Sequence, residues 1–135
     1  MTGILQHTDG NVLTVTIDPA NAIAPDFQPP SELGGVMIPM DQWRHPDVDG
    51  SPVIAAWTFA PFGTKSNMGT NFTFTINDAL GLAASDTVTF YEIEKDNGAT
   101  HMIGTGVVNG DASGIDVTPA GNGFHELSGL LVVPD

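Results

Sequence analysis

The chain of 135 residues has no cysteine and carries 16 Asp or Glu against 3 Lys or Arg, a formal net charge of −13. With no basic surface to displace counterions, it is a poor partner for nucleic acid or for an anionic membrane. The lack of cysteine excludes disulfides, thiolate metal sites and cysteine nucleophiles. Only 14% of the residues are charged, so the polar surface must consist largely of Thr, Ser, Asn and Gly, which is typical of secreted β-proteins.

The length fits one domain with one core. No apolar run reaches the ~18 residues that a membrane span requires, and the chain does not begin with the basic and apolar segments of a signal peptide. We therefore expect a single extracellular or cell-surface domain over residues 1–135. If the protein is exported, we expect that its signal was removed or that this domain was cut from a longer chain.

The first strands are predicted near the start of the chain. Residues 11–17 alternate apolar side chains with threonine, which predicts a strand with one buried face. A short partner strand over residues 3–6 is expected to pair with it across a turn at Asp9 and Gly10. The following residues, 18–35, are rich in Pro and Gly and predict an irregular connection, after which a strand resumes over residues 35–38.

The clearest strand signals lie in the middle of the sequence. Residues 53–59 are apolar on both alternating faces, which predicts a central strand covered on both sides. Residues 72–76 alternate large apolar side chains with threonine. Gly81 interrupts the only segment that could begin a helix, 77–86, so that segment is predicted to be a loop. A further strand is expected over residues 87–93.

The remaining strands are expected over residues 100–108, 115–117 and 124–133, separated by Gly- and Asn-containing turns. About eight or nine short strands without an amphipathic helix predict an antiparallel β-sandwich or barrel. The predicted core residues are Leu13, Val15, Ile17, Val53, Ala55, Trp57, Phe72, Phe74, Ile76, Val88 and Phe90.

The order of motifs after residue 60 resembles a known family. A Pro-Phe-Gly turn at 61–63 precedes the alternating strand 72–76, then come the segment 81–91, an Asn-Gly turn, a Gly-x-Gly-x-Val strand at 104–108 and Gly-Phe-His at 123–125. Together these resemble bacterial immunoglobulin-like surface modules, which are similar to the β-sandwich domain of ankyrins and netrin receptors. The resemblance covers about the last 75 residues. It implies an immunoglobulin-like antiparallel sandwich with a non-catalytic role in adhesion, scaffolding or spacing.

Some eukaryotic relatives of that family cleave themselves within a His-Phe-Ser sequence. Here Phe124 and His125 are followed by Glu126, which is not a nucleophile of that kind. The resemblance therefore does not extend to self-cleavage.

A calcium site is a candidate in the loop of residues 40–52. Asp47 and Asp49 stand two residues apart before Gly50, like a fragment of a calcium-binding loop, and Asp41 offers a third carboxylate. The complete loop spacing is absent because the sequence continues into a strand, so the alternative is an Asp-rich turn. Asn109 and Asp111 form a second, weaker candidate.

The same loop offers a candidate ligand-binding site formed by Trp43, Arg44 and His45. An exposed Trp beside polar side chains can stack on a sugar ring, and this suggests a carbohydrate-binding module as the alternative function. The competing interpretation is that Trp43 covers one end of the sandwich.

No catalytic constellation is visible in the sequence, and we expect no enzyme. The histidines at positions 7, 45, 101 and 125 are isolated from one another, and no nucleophile elbow, zinc-protease helix or phosphate loop is present. Glu92 and Glu94 share one strand face, which suits acid–base chemistry, but beside Lys95 they are predicted to be a solvated face.

The sequence thus predicts a non-catalytic structural or adhesion module of an exported bacterial surface protein. Its partners would be further copies, neighbouring domains of a larger chain or a glycan. The strands at 11–17 and 130–133 lie near the termini and lack the lysines that protect an exposed edge, so self-assembly through these edges is one candidate. The alternative is that both strands pair within their own sheets.

Overall fold

The computed structural model describes residues 5–9, 12–17, 22–23, 34–38, 53–60, 64–66, 72–93, 99–120, 124 and 126–135. All regular secondary structure in these residues is β-strand, and every strand pairing is antiparallel. The all-β prediction is therefore confirmed. The strands are β1 (Leu5–Asp9), β2 (Leu13–Ile17), β3 (Ala22–Ile23), β4 (Gly34–Met37), β5 (Ala55–Ala60), β6 (Thr64–Ser66), β7 (Thr73–Ile76), β8 (Thr87–Ile93), β9 (Thr100–Val108), β10 (Ile115–Pro119), β11 (Glu126–Leu127) and β12 (Gly129–Pro134).

Nine strands form one long sheet in the order β1-β2-β7-β10-β9-β8-β12-β5-β4. Cα atoms of the two end strands, β1 and β4, approach within 8 Å of each other, so the sheet curls into a half-barrel around its own inner face. A second sheet contains only the short strands β11, β6 and β3. The described residues therefore form one long curled sheet and one short sheet, and two facing sheets of an immunoglobulin-like sandwich are not seen among them.

The inner face of the curled sheet holds the main core. Alternation along β2 and β7 places their apolar side chains inside and their threonines outside, as the sequence predicted. All predicted core residues are buried except Val53, which is half-buried. It packs instead on the outer face, against a smaller apolar cluster that contains Ala56, Leu131 and Val133.

This outer cluster explains the apolar runs in β5 and β12. Trp57 and Leu130 face the inner core, whereas Ala56 and Leu131 face the outer cluster, and all four are fully buried. The prediction that residues 53–59 form a central strand covered on both faces is confirmed. Strands that bury both faces require apolar side chains at successive positions, which is the pattern seen here.

Both predicted edge strands are internal. A hairpin is present as predicted, but its first strand is Leu5–Asp9 instead of residues 3–6, and Asp9 pairs with Leu13 and does not form the turn. Strand β2 also pairs with β7 on its other side. The closing strand β12 pairs with β8 and with β5. The prediction that residues 11–17 and 130–133 are sheet edges is wrong, because each already has a neighbour on both sides.

Residues 77–86 form turns, in agreement with the predicted loop. Leu80 and Ser85 adopt positive φ angles of 55° and 74°, and two carboxylates hold the turns. The Leu80 amide donates to Asp78 Oδ1 at 2.6 Å, and the Ala83 amide donates to Asp86 Oδ2 at 3.0 Å. The described residues contain no helix with the length and apolar character to cross a membrane.

Packing explains one glycine of the Gly-x-Gly-x-Val strand. Gly106 on β9 faces inward, and a Cβ atom there would lie 2.8 Å from the Phe90 ring and 2.6 Å from Ile115 Cγ2. Only glycine lets the aromatic ring of β8 and the side chain of β10 approach this strand so closely.

Candidate functional site

The candidate residues of the 40–52 loop lie outside the described residues, so the calcium and sugar sites stay predictions. They are Asp41, Trp43, Arg44, His45, Asp47 and Asp49. Across the part of the chain that the structure describes, no group of three or more His, Asp or Glu side chains is placed to hold a metal ion.

The second calcium candidate forms a closed turn. Asn109 Oδ1 accepts hydrogen bonds from the Ser113 and Gly114 amides, at 2.9 and 3.3 Å. Asp111 Oδ1 accepts from the Ser113 hydroxyl at 2.7 Å and from its amide at 3.2 Å. The side-chain hydrogen bond from Ser113 is the main reason that the pKa of Asp111 lies below its ordinary value. These oxygens stabilise the turn.

The predicted solvated face at Glu92 is wrong, because Glu92 is fully buried. It shares the inner face of β8 with Val88 and Phe90, which also show no exposed surface. Its Oε2 atom accepts a hydrogen bond from the Glu126 amide at 3.1 Å. The carboxylate of Glu92 therefore ties β8 to β11. Glu94 lies outside the described residues.

Several polar side chains surround this buried carboxylate. Glu126 is itself buried, and its Oε1 lies 3.9 Å from Lys65 Nζ on β6. His101 stands directly opposite Glu92 in the β8–β9 register and is half-buried. Ser128 is buried, and its hydroxyl forms no hydrogen bond within the described residues.

Nucleophilic catalysis requires a hydroxyl that a base activates and a substrate reaches. Ser128 meets neither condition here, and neither cavity described below is lined by Glu92 or Glu126. The acidic cluster acts as an internal cross-link between the two sheets.

The accessible site is a split in the sheet between β7 and β10. These neighbouring strands pair at one position only, Ile76 with Ile115. On their other sides both strands are fully paired, β7 with β2 and β10 with β9. We call the opening beyond the Ile76–Ile115 pair the β7–β10 cleft.

Hydrogen-bond alternation shows which backbone groups face this cleft. The Asn77 amide donates to Val12 O, so on β7 the backbone groups of the odd-numbered residues bond to β2. The backbone N–H and C=O of Phe74 therefore point toward β10. The Ala120 amide donates to Ile103 O, so on β10 the backbone groups of the even-numbered residues bond to β9. The backbone N–H and C=O of Val117 therefore point toward β7.

In an unbroken ladder Phe74 would therefore pair with Val117. The register of the two strands stops at Ile76 and Ile115, so Phe74 and Val117 are not paired in this ladder of the described residues. The cleft thus presents two N–H and two C=O groups without ladder partners.

Unequal chain lengths keep the cleft open. At its far end the Phe72 amide donates to Phe124 O at 2.7 Å. Between the two closed ends the sequence has three residues on the β7 side, 73–75, and eight on the other side, of which the structure describes 116–120. The two sides therefore cannot pair residue for residue along the whole cleft. Gly114 holds the near end tight, since a Cβ atom there would lie 2.7 Å from Ile76 O.

The inner part of the cleft is a cavity of about 290 Å³ whose lining is mostly apolar. Its floor is an aromatic cluster in which the Phe124 ring meets Phe72 and Phe74 edge to face, with both centroid distances 5.7 Å. Ile103, Val117 and Pro119 complete the walls. Phe74 and Val117 line this cavity and also the outer one.

The outer cavity has a volume of about 280 Å³ and a polar lining that includes Thr75, Asn77, Asn109 and Asp116. Asp116 is exposed, and the only Lys or Arg among the described residues is Lys65, on the other sheet. The opening is therefore acidic above an apolar floor.

Comparisons of the chain with protein-family models, with curated proteins and with solved structures gave no match. The function must therefore be argued from the geometry of the cleft.

Proposed function

We propose that this domain is a non-catalytic module of an exported bacterial surface protein and that it acts in adhesion or assembly by binding another polypeptide. One observation carries the proposal: within the described residues, the backbone groups of Phe74 and Val117 face each other across a cleft where the ladder between β7 and β10 has stopped. Free strand backbone above an apolar pocket is the arrangement by which sheets bind extended peptides.

The chemistry of the described residues agrees with a binding role. The cleft is lined by apolar side chains, amides, hydroxyls and one carboxylate. Its lining contains no histidine and no second acid for proton transfer. The family resemblance of the C-terminal part and the low content of charged residues also support an extracellular module of this kind.

Binding to a different polypeptide is favoured over self-assembly. The two strands whose edges would have joined copies are internal to the sheet. A net charge of −13 also opposes close packing of identical surfaces. The carbohydrate alternative rests on Trp43 and its neighbours, and the immunoglobulin-like sandwich on the sequence resemblance, so no contact described here adds to either.

The test is a selection of phage-displayed random peptides on the immobilised full chain. We expect enrichment of peptides that also bind the free protein in solution. Light scattering over a concentration series should show a monomer. Failure to enrich any peptide over a blank surface, or concentration-dependent polymers, would contradict the proposal.

A further inference from the structure

We propose that the β7–β10 cleft binds a short extended peptide segment with an aromatic side chain on its inner face and Lys or Arg on its outer face. This inference rests on the proposed function and names the class of partner. It follows from the backbone, the pocket and the charge of the cleft.

The backbone sets the conformation of the bound segment. Phe74 and Val117 each offer one N–H donor and one C=O acceptor toward the gap. A segment that enters the gap in extended form can bond to these groups, as an added strand does at a sheet edge. The cleft is closed at Ile76–Ile115 and at Phe72–Phe124, so it spans three residues of β7, or roughly 10 Å, and accepts a segment of three to five residues.

The pocket sets the inward side chain. A 290 Å³ cavity walled by Phe72, Phe74, Phe124, Ile103, Val117 and Pro119 exceeds the roughly 150 Å³ of an engineered apolar cavity that holds benzene. One aromatic side chain therefore fits. The rings around Phe124 already meet edge to face, a geometry that a further ring can extend.

The negative charge around the opening determines which side chains of the bound peptide are favoured on its outer face. Alternation along a strand places the neighbours of the inward aromatic residue on the outer face, beside Asp116 and the polar rim. The described residues that line the two cavities include no Lys or Arg, and the whole chain carries −13. Cationic neighbours complement this field, whereas a second copy of the acidic chain does not.

The probe is the blocked pentapeptide Thr-Lys-Phe-Lys-Thr, titrated into the isotope-labelled full chain with NMR detection. We expect saturable shifts centred on the Phe74 and Val117 amides. Control peptides with Glu in place of Lys, or Ala in place of Phe, should bind at least about tenfold more weakly. A peptide N-methylated within the segment should lose a similar factor, because one hydrogen bond is removed.

Variants of the protein locate the site. Val117→Phe fills the cleft and should abolish the shifts, while Asp116→Asn should weaken binding at low salt and flatten its salt dependence. Asp135→Asn removes the same charge at an exposed residue directly after β12, three strands away, and should leave the affinity unchanged.

The inference fails if the Glu peptide binds as well as the Lys peptide, if N-methylation has no effect, or if the shifts fall elsewhere. Selected peptides that bind regardless of Val117→Phe would overturn the inference and leave the proposed function standing. A selection that enriches nothing would overturn both.

Discussion

Two contacts between neighbouring strands of the same sheet, that of β12 with its neighbours and that of β7 with β10, differ in how many residues pair. β12 is paired along its whole length with β8 and along four residues with β5, whereas β7 meets β10 at a single residue pair. Both junctions are antiparallel, and both face the same inner core. Antiparallel geometry and an apolar inner face therefore do not by themselves keep neighbouring strands together.

The outer faces differ. Around β12 the outer face buries Ala56, Leu131 and Val133 as a second apolar cluster. At the split the outer face carries exposed Thr73, Thr75 and Asp116, which pack on nothing described. Side-chain packing on both faces adds apolar burial that opposes separation of the strands. With only one face packed, less apolar burial opposes the separation of β7 from β10.

Amide hydrogen exchange tests this comparison most strongly. The amides of Phe74 and Val117 should exchange at least about 10³-fold faster than those of Thr75 and Asp116, whose groups point into intact ladders, because exchange of ladder amides requires local or global opening. The Leu131 amide in the β12 junction should be among the most protected. Equal protection of Phe74 and Thr75 would mean that the cleft is closed in solution.

Truncating a side chain should lower the free energy of unfolding more beside β12 than beside the β7–β10 cleft. Leu131→Ala removes a fully buried side chain from the outer cluster, and we expect a loss of about 2–5 kcal/mol in the free energy of unfolding. Val117→Ala, at a half-buried side chain beside an existing cavity, should cost about 1 kcal/mol or less. Urea unfolding of both variants measures the difference, and similar costs would show that the cleft is as tightly packed as the centre.

The strand pattern could be predicted from the sequence because alternation is local. The strands over 87–93 and 100–108 have the predicted bounds. The same alternation also places Glu92 on the face of Val88 and Phe90, so its burial had a sequence signal. The acidic Glu92-Glu94 pair beside a lysine favours a solvated face, and for Glu92 that interpretation is wrong.

The position of β12 also had a signal. Four successive apolar residues at 130–133 are typical of a strand covered on both faces, but their place near the end of the chain suggested an edge. The cleft itself had no such signal. It depends on which residues of two distant segments meet, and on eight residues facing three, and no local pattern contains that information.

Adding one methyl group at Gly114 should disturb the end of the cleft that the Ile76–Ile115 pair closes. Gly114→Ala places a Cβ atom 2.7 Å from Ile76 O, so the Ile76–Ile115 pair must shift, at a cost of about 1–3 kcal/mol. Gly110→Ala is the control in the same turn, because a Cβ atom there meets nothing within 4 Å. We expect Gly114→Ala, and not Gly110→Ala, to accelerate exchange of the Ile76 amide. Equal effects would show that the two strands are held by something other than this contact.

The smallest effect should come from the turn that borders the cleft. Hydrogen bonds from Ser113 hold the pKa of Asp111 below its ordinary value of 3.8. A carboxylate with a lowered pKa in the folded state stabilises the protein above its unfolded pKa, and the contribution disappears as the pH falls through the folded value. Asp111→Asn should therefore be slightly less stable than the parent chain at about pH 7, and the difference should vanish at strongly acidic pH.

Because Asp111 is fully exposed, solvent screens the interaction and the loss should be small. The Phe74 and Val117 amides should exchange as in the parent chain, since the cleft is held at Gly114 and Phe124 and not by the carboxylate. Paired thermal melts of the parent chain and Asp111→Asn across the acid range measure the first effect. A stability difference that persists at the lowest pH would show that the amide disturbs the turn by its shape. Accelerated exchange at Phe74 would show that this turn, and not the unequal chain lengths, sets the width of the cleft.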